Sequence, residues 1–279
     1  MNNFLLKIKK NIKKYLVIFG SAAVILVGAL HIYNEPQYLE IDFLDVGQGD
    51  ASLIKTPGGQ VILIDGGPDN RILRRLGESL PFYERRIDYV VLSHYHEDHL
   101  TGLIEILKRY KVKNLIYSID SPASPALTEL LGVAQTRAVS ISPLRERLKI
   151  VYADDCFMDI LNPSILGIKK DDNNSLAARL DCAGRRFLFT GDNSAAAEKA
   201  LVASGWGIAA TVFKAAHHGS NSANSELFLI AVNPRLMVFS VGADNRFGHP
   251  SQKVLDRAAE LGIEIKRTDQ LGTIKVLSR

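Results

Sequence analysis

Four apolar runs in this chain each end in residues of the kind that bind metal ions, and that repetition limits the fold more than any other feature. Val61-Ile62-Leu63-Ile64 runs into Asp65-Gly66-Gly67. Tyr89-Val90-Val91-Leu92 runs into Ser93-His94-Tyr95-His96-Glu97-Asp98-His99. Phe187-Leu188-Phe189-Thr190 leads to Gly191-Asp192, and Phe213-Lys214-Ala215-Ala216 to His217-His218-Gly219-Ser220. Short apolar runs bounded by glycine read as buried strands, so the ligand-type residues stand at successive strand ends.

The densest of the four is the loop after Leu92, which holds three of the chain's seven histidines. Imidazole nitrogen and carboxylate oxygen suit Zn²⁺ or Mn²⁺, and a cluster this rich can serve two ions. His94 and His96 stand two apart and point the same way in extended chain, so they can grip one ion. Asp98 and His99 follow as a turn begins and can grip another, while Tyr95 and Glu97 point away. Asp192, at the end of a buried strand, can bridge two metals. Of His217 and His218, one can ligate while the other donates a proton or a hydrogen bond. Asp65 is costly to bury unless it accepts hydrogen bonds, and the glycines beside it allow the backbone to approach.

Charge points away from a nucleic-acid-coating protein. The formal net charge is +4, but Lys7, Lys9, Lys10, Lys13 and Lys14 all precede the first acidic residue, Glu35. Removing those five from 34 basic residues leaves 29 against 30 acidic ones, so the body is neutral. The lysines are followed by Tyr15 to Ile32, a run free of Lys, Arg, Asp and Glu. As a helix it would reach roughly 27 Å, close to a hydrocarbon core of about 30 Å. It reads as an uncleaved signal anchor, with cleavage and secretion as the alternative. Lysines before the span place the N-terminus in the cytoplasm and the rest outside the cell membrane. The expected organisation is a basic tail over 1–14, a transmembrane anchor over 15–33 and one hydrolase domain over 37–279.

Strand runs alternating with single helices, twice over, suggest two sheets packed face to face with helices outside. Helices are expected over 72–80, 101–110, 126–131, 195–204, 225–232 and 252–261. Cys156 and Cys182 lack a CxxC spacing and a neighbouring histidine, which argues against zinc binding. A disulfide between them and two buried free thiols both remain open.

Asp65, the His94-x-His96-x-Asp98-His99 signature, Asp192 and the His217-His218 pair, in this order, resemble the metallo-β-lactamase superfamily. The resemblance extends from Leu39 to Leu277. It narrows through Asp45-Val46-Gly47-Gln48-Gly49-Asp50, His217-His218-Gly219-Ser220, Asn245-Arg246-Phe247-Gly248-His249-Pro250 and Arg267-Thr268-Asp269 to the hydrolase domain of ComEC-type competence proteins. It implies an α+β fold, a four-layer αββα sandwich with a binuclear site at one edge, here preceded by one transmembrane helix. It also implies two divalent ions, Zn²⁺ foremost and Mn²⁺ second, held by His94, His96, Asp98, His99, Asp192 and His218. His218 fits the superfamily pattern because it directly precedes glycine. Asp98, His217 and His249 are the catalytic candidates, His217 and His249 as proton donors to the leaving group. Asp45, Gln48, Asp50, Asp65, Asn174 and Ser220 are expected to contact substrate or support the ligands, with the amides of the Gly47–Gly49 loop lining a phosphate site.

One departure stands out. The superfamily usually supplies a further histidine between the loop and the bridging aspartate, and none lies between His99 and Asp192. The expected activity is hydrolysis of a phosphodiester, possible partners being DNA and the lipid bilayer, by metal-activated hydroxide. The alternatives are a hydrolase of a cell-surface phosphodiester of teichoic acid or phosphocholine type, and a non-catalytic tethered binding domain.

Overall fold

The computed structural model describes residues 2–33, 38–153, 155–168, 175–182 and 184–278, with side chains in the first segment over 12–26 and at 28. The chain divides into two units, Met1–Gln37 and Tyr38–Arg279.

The first unit is one helix, α1 (Asn2–Tyr33). Tyr15, Leu16, Val17, Ile18, Phe19, Val24, Ile25 and Leu26 are all exposed on it. Among the described residues no helix is long and apolar enough to cross a membrane. Part of the expected anchor, residue 27 and residues 29–33, lies outside the described side chains.

The second unit runs β1 (Leu39–Phe43), β2 (Ser52–Lys55), β3 (Val61–Ile64), α2 (Arg71–Ser79), β4 (Arg86–Leu92), α3 (Glu97–Arg109), β5 (Lys111–Ser118), α4 (Pro125–Thr136) and β6 (Ser140–Leu144). It continues through β7 (Arg147–Ala153), β8 (Cys156–Leu161), β9 (Ala177–Cys182), β10 (Arg185–Phe189), α5 (Ala195–Ala203), β11 (Val212–Lys214), α6 (Glu226–Val232), β12 (Leu236–Phe239), α7 (Gln252–Glu260), β13 (Glu264–Arg267), α8 (Thr268–Leu271) and β14 (Ile274–Ser278). The strands form two seven-stranded sheets, ordered β14-β1-β2-β3-β4-β5-β6 and β13-β12-β11-β10-β9-β8-β7.

Period-2 alternation explains the layers. In β3, Ile62 and Ile64 face the second sheet, where they meet Phe187, Phe189 and Val238. Val61 and Leu63 face the opposite way, into a core shared with α2, α3 and α4. A third core lies between the second sheet and α5, α6 and α7, around Phe213, Phe228 and Val254. Strands covered on both faces must be apolar throughout. This is the expected two-sheet α+β sandwich with helices outside.

Direction is what gathers the site. Strands β3 and β4 are parallel, as are β10 and β11. Their C-terminal ends therefore emerge side by side, the place where open sheets of this kind bind ligands.

Cys156 and Cys182 lie directly opposite each other on β8 and β9 and form a disulfide, which settles the two alternatives left open by the sequence. Their 26-residue separation implies a loop-closure contribution of about 3.5 kcal/mol. Replacing both cysteines by serine is expected to lower the thermal midpoint by about 10 °C, measured by circular dichroism. No change in midpoint would argue against the bond.

Candidate metal centre

Seven side chains converge where the two sheets' strand ends meet. Helix α3 begins at Glu97, four residues earlier than the apolar pattern predicts, and takes Asp98 and His99 into its first turn. Acidic groups there complement the helix dipole, and His96 stands in extended conformation just before it. His94 is buried at the end of β4, His99 is fully buried, and Glu97 is exposed.

Asp192 sits at the centre. Its Oδ1 faces His99 Nε2 at 3.3 Å and His218 Nε2 at 3.7 Å, while Oδ2 faces His94 Nε2 at 3.8 Å and His217 Nε2 at 3.7 Å. Asp98 Oδ2 lies 3.1 Å from His218 Nε2 and 3.8 Å from His99 Nε2. Among the described residues three candidate ligand groups result, and two of them share Asp192: His94, His96 and Asp192, and Asp98, His99, Asp192 and His218; the third is Asp50, Asp65 and His99.

Gly191 makes this placement possible. Its φ is +49°, and a Cβ there would lie 2.6 Å from the Ser175 side chain and 2.9 Å from Ser93 Oγ. Ser175 Oγ accepts the Asp192 N–H, and Gly191 O accepts the His217 N–H. His217 and His218 both take left-handed conformations, φ +48° and +53°, which is strained for side chains with a Cβ. Asn224 braces that turn by accepting from Ala216 N–H and donating to the carbonyls of Ala216 and Ser220.

Behind the ligands a second set of groups fixes each imidazole. Asp65 accepts from Ser93 N–H at 2.7 Å, Ser93 Oγ–H at 2.8 Å and His99 Nδ1–H at 2.9 Å. Ser93 Oγ also meets His94 Nδ1 at 3.1 Å. His218 Nδ1–H donates to Ser240 O at 3.0 Å, with Asp50 Oδ1 at 3.1 Å. Asp50 in turn holds Lys214, a fully enclosed ion pair. Fixing Nδ1–H in this way leaves the Nε2 lone pair for a metal.

The donor set fits a metal on a direct observation. His94 Nε2, His99 Nε2 and Asp192 Oδ1 are buried without a hydrogen-bond partner, a cost that folded proteins avoid unless another partner takes its place.

Electrostatics separates the imidazoles. Burial lowers His99 and His218, but the surrounding carboxylates, Asp192 first, outweigh it and raise His218 to about 9 and His99 well above the usual value. His94 is driven well below that value by burial and by His99, and His217 is also lowered by burial. Asp50 resists burial through Lys214 and is held at about 2.

The consequence is testable in metal-free protein. A histidine raised from about 6.5 in the unfolded chain to about 9 contributes its full stability below pH 6.5 and loses it as pH rises through 9. Chelator-treated protein is expected to lose about 3 kcal/mol between those limits. Metal-loaded protein, whose imidazoles carry no such proton, should not show this loss. Thermal melts at pH 6.5 and 9 would check it, and parallel losses in both forms would refute it.

Not every expected residue reaches the centre. Asp45 pairs with Arg75 and accepts from Gly47 N–H, and Gln48 Oε1 accepts from Gly242 N–H at 3.3 Å. Both side chains brace the loop, and the Gly47 amide is already engaged by Asp45. Ser220 reaches the site indirectly, through Ser222, whose Oγ lies 3.5 Å from His217 Nδ1. His249 packs 5.8 Å from the His217 ring, centroid to centroid. Asn174 lies outside the described residues. Sequence reasoning missed Lys214, Ser93, Ser175 and Ser240. Only Lys214 left a signal, a charge inside an apolar strand.

A two-sheet sandwich with a His/Asp cluster at its edge defines the class. Residues 44–242 match the Metallo-beta-lactamase superfamily model, and the chain belongs to that superfamily, a metallo-hydrolase fold. ComE operon protein 3 of Bacillus subtilis is 28% identical over 97% of this chain and 37% of its own length. Competence protein ComA of Neisseria gonorrhoeae is 30% identical over 83% of this chain and 31% of its own. The chain thus spans about a third of the length of these curated relatives. The metallo-beta-lactamase fold protein YhfI from Bacillus subtilis superposes with a TM-score of 0.61 at 11% identity, covering 86% of this chain and all of that one.

Proposed function

We propose that this chain is a metal-dependent phosphodiesterase of nuclease type, carried on a membrane anchor. The observation that carries the hydrolase reading is the set of buried, unpartnered Nε2 and carboxylate oxygen atoms around Asp192. The phosphodiester reading is supported by relatives named for competence and recombination.

Two divalent ions, Zn²⁺ or Mn²⁺, would supply Lewis acidity toward phosphoryl oxygens and hydroxide at neutral pH. His94, His96 and Asp192 would hold one, and Asp98, His99, Asp192 and His218 the other. Asp65, Ser93 and Ser240 keep the ligating imidazoles in the tautomer that exposes Nε2. Asp50, neutralised by Lys214, keeps a carboxylate behind His218 without adding net charge. His249 is lowered by burial and by the neighbouring histidines. Its neutral form is therefore favoured at pH 7, and it would serve the departing oxygen as an N–H hydrogen-bond donor rather than by transferring a proton.

The anchor rests on α1, where Tyr15 to Phe19 and Val24 to Leu26 are large apolar side chains exposed on the helix, and the Ser21 hydroxyl between them donates to Val17 O, a pattern that suits a nonpolar surrounding. The disulfide fits an oxidising compartment outside the cytoplasm.

The full chain, loaded with Zn²⁺ or Mn²⁺, should be offered single-stranded DNA, RNA, a nitrophenyl phosphodiester, a phosphocholine ester and a cephalosporin. Metal-dependent cleavage of DNA and of the nitrophenyl ester is expected. Turnover of the phosphocholine ester alone would move the substrate to a surface polymer, which the neutral body also suits. Opening of the cephalosporin with no phosphodiester cleaved would overturn the proposal.

A further inference from the structure

We propose that His217 is a metal ligand that replaces the histidine absent between His99 and Asp192, completing the ion held by His94 and His96. The assignment rests on the binuclear reading above.

Three observations carry it. The first is the division of Asp192, whose two oxygens each face one histidine of the loop and one of the His217-His218 pair. Oδ1 meets His99 and His218, and Oδ2 meets His94 and His217, the latter pair at 3.8 and 3.7 Å. His217 therefore stands toward the His94 side of Asp192 as His218 stands toward the His99 side.

The second is a shared arrangement. His94, His99, His217 and His218 each direct Nε2 at Asp192 and Nδ1 at an oxygen on the far side: Ser93 Oγ at 3.1 Å, Asp65 Oδ2 at 2.9 Å, Ser222 Oγ at 3.5 Å and Ser240 O at 3.0 Å. That outer partner, fixing the tautomer and the ring, is what metal-bound imidazoles characteristically have. His249 lacks it, because its buried Nδ1 has no partner among the described residues.

The third is the backbone. Two consecutive non-glycine residues at positive φ are costly, and neighbouring residues of an extended strand would point to opposite faces. The left-handed turn brings both imidazoles to Asp192. With His217 committed to metal, His249 is left as the sole imidazole of the pair proposed to serve the leaving group.

The test is cobalt binding to the full chain after chelator treatment, followed by visible absorption and equilibrium dialysis. Wild type should hold two equivalents. His217→Gly suits the positive φ, so its metal-free melting temperature should stay at or above the wild-type value. This variant should keep one ion and bind the second more than about 100-fold more weakly, beyond the 10- to 100-fold cost of losing only an outer hydrogen-bond partner. Added imidazole should restore the second ion's absorption. His249→Ala should retain both ions. Retention of both ions at wild-type affinity by His217→Gly, or loss of both, overturns the assignment. A wild-type chain holding fewer than two ions overturns the binuclear reading itself.

Discussion

Under the proposed binuclear phosphodiesterase reading, Asp192→Ala is expected to lose both metal ions and to lower activity by at least about 1,000-fold. The carboxylate is common to both proposed ligand groups, so its loss removes one donor from each and, among the described residues, the group they share. Metal catalysis of this kind supplies several kcal/mol of transition-state stabilisation, and about 4 kcal/mol corresponds to three decades in rate. The same variant should flatten the pH dependence of the metal-free protein, because Asp192 is the foremost carboxylate raising His99 and His218. Metal content, turnover and melts at two pH values give three independent readouts. A variant that keeps activity within tenfold of wild type would sink the role assigned to Asp192.

Gly102→Ala should be as damaging to the fold as Asp192→Ala is to the chemistry. Gly102 lies in the second turn of α3, where the helix passes directly over the Asp65-Gly66-Gly67 loop. Its N–H donates to Gly67 O at 2.9 Å, and Gly66 N–H donates to His99 O at 2.7 Å. A Cβ at Gly102 would fall inside the contact radius of Gly66 O, with Gly66 C at 2.8 Å and Asp69 O at 2.9 Å. All three are backbone atoms and cannot rotate away. Forcing the helix off the loop should cost about 3 kcal/mol and lower the thermal midpoint by about 10 °C. It should also weaken metal binding, because α3 carries Asp98 and His99. Gly132→Ala is the control: nothing lies within 4 Å of a Cβ there, and a mid-helix alanine should stabilise by about 0.5–1 kcal/mol. Equal melting temperatures for the two variants would refute the close-approach account.

The sandwich was readable because β3, β4, β10 and β11 are covered on both faces and so end in apolar runs, interrupted in β11 only by the buried Lys214. Strands β6, β7 and β8 escaped. β7 exposes alternate residues through Arg147, Lys149 and Val151, and its basic residues read as a solvated face. In the structure Arg147 pairs with buried Asp159. Helix α4 runs on through Gly132 to Thr136, five residues beyond the end of the expected 126–131 helix. In the site, spacing indicated that His94 and His96 face together, since extended geometry follows directly from sequence. The left-handed turn at His217 and His218 could not be read, because neither residue favours positive φ; Asn224, six residues beyond His218, holds it. The ring partners Ser93 and Ser240 are equally silent, being serines placed by sheet register.

The order in which the donors occur along the chain has a consequence for biogenesis. Residues 94–99 leave the ribosome nearly a hundred residues before Asp192 and about 120 before His218. During that interval three imidazoles and an aspartate are exposed as a loose chelator with no partner strand. A stable ion can be captured only after β10 and β11 have docked, so metallation reports that the strand ends carrying the donors have come together across the two sheets. A chain truncated before Asp192 or stalled there in translation would then fail to retain metal, giving quality control a simple chemical distinction between chains with and without the assembled centre.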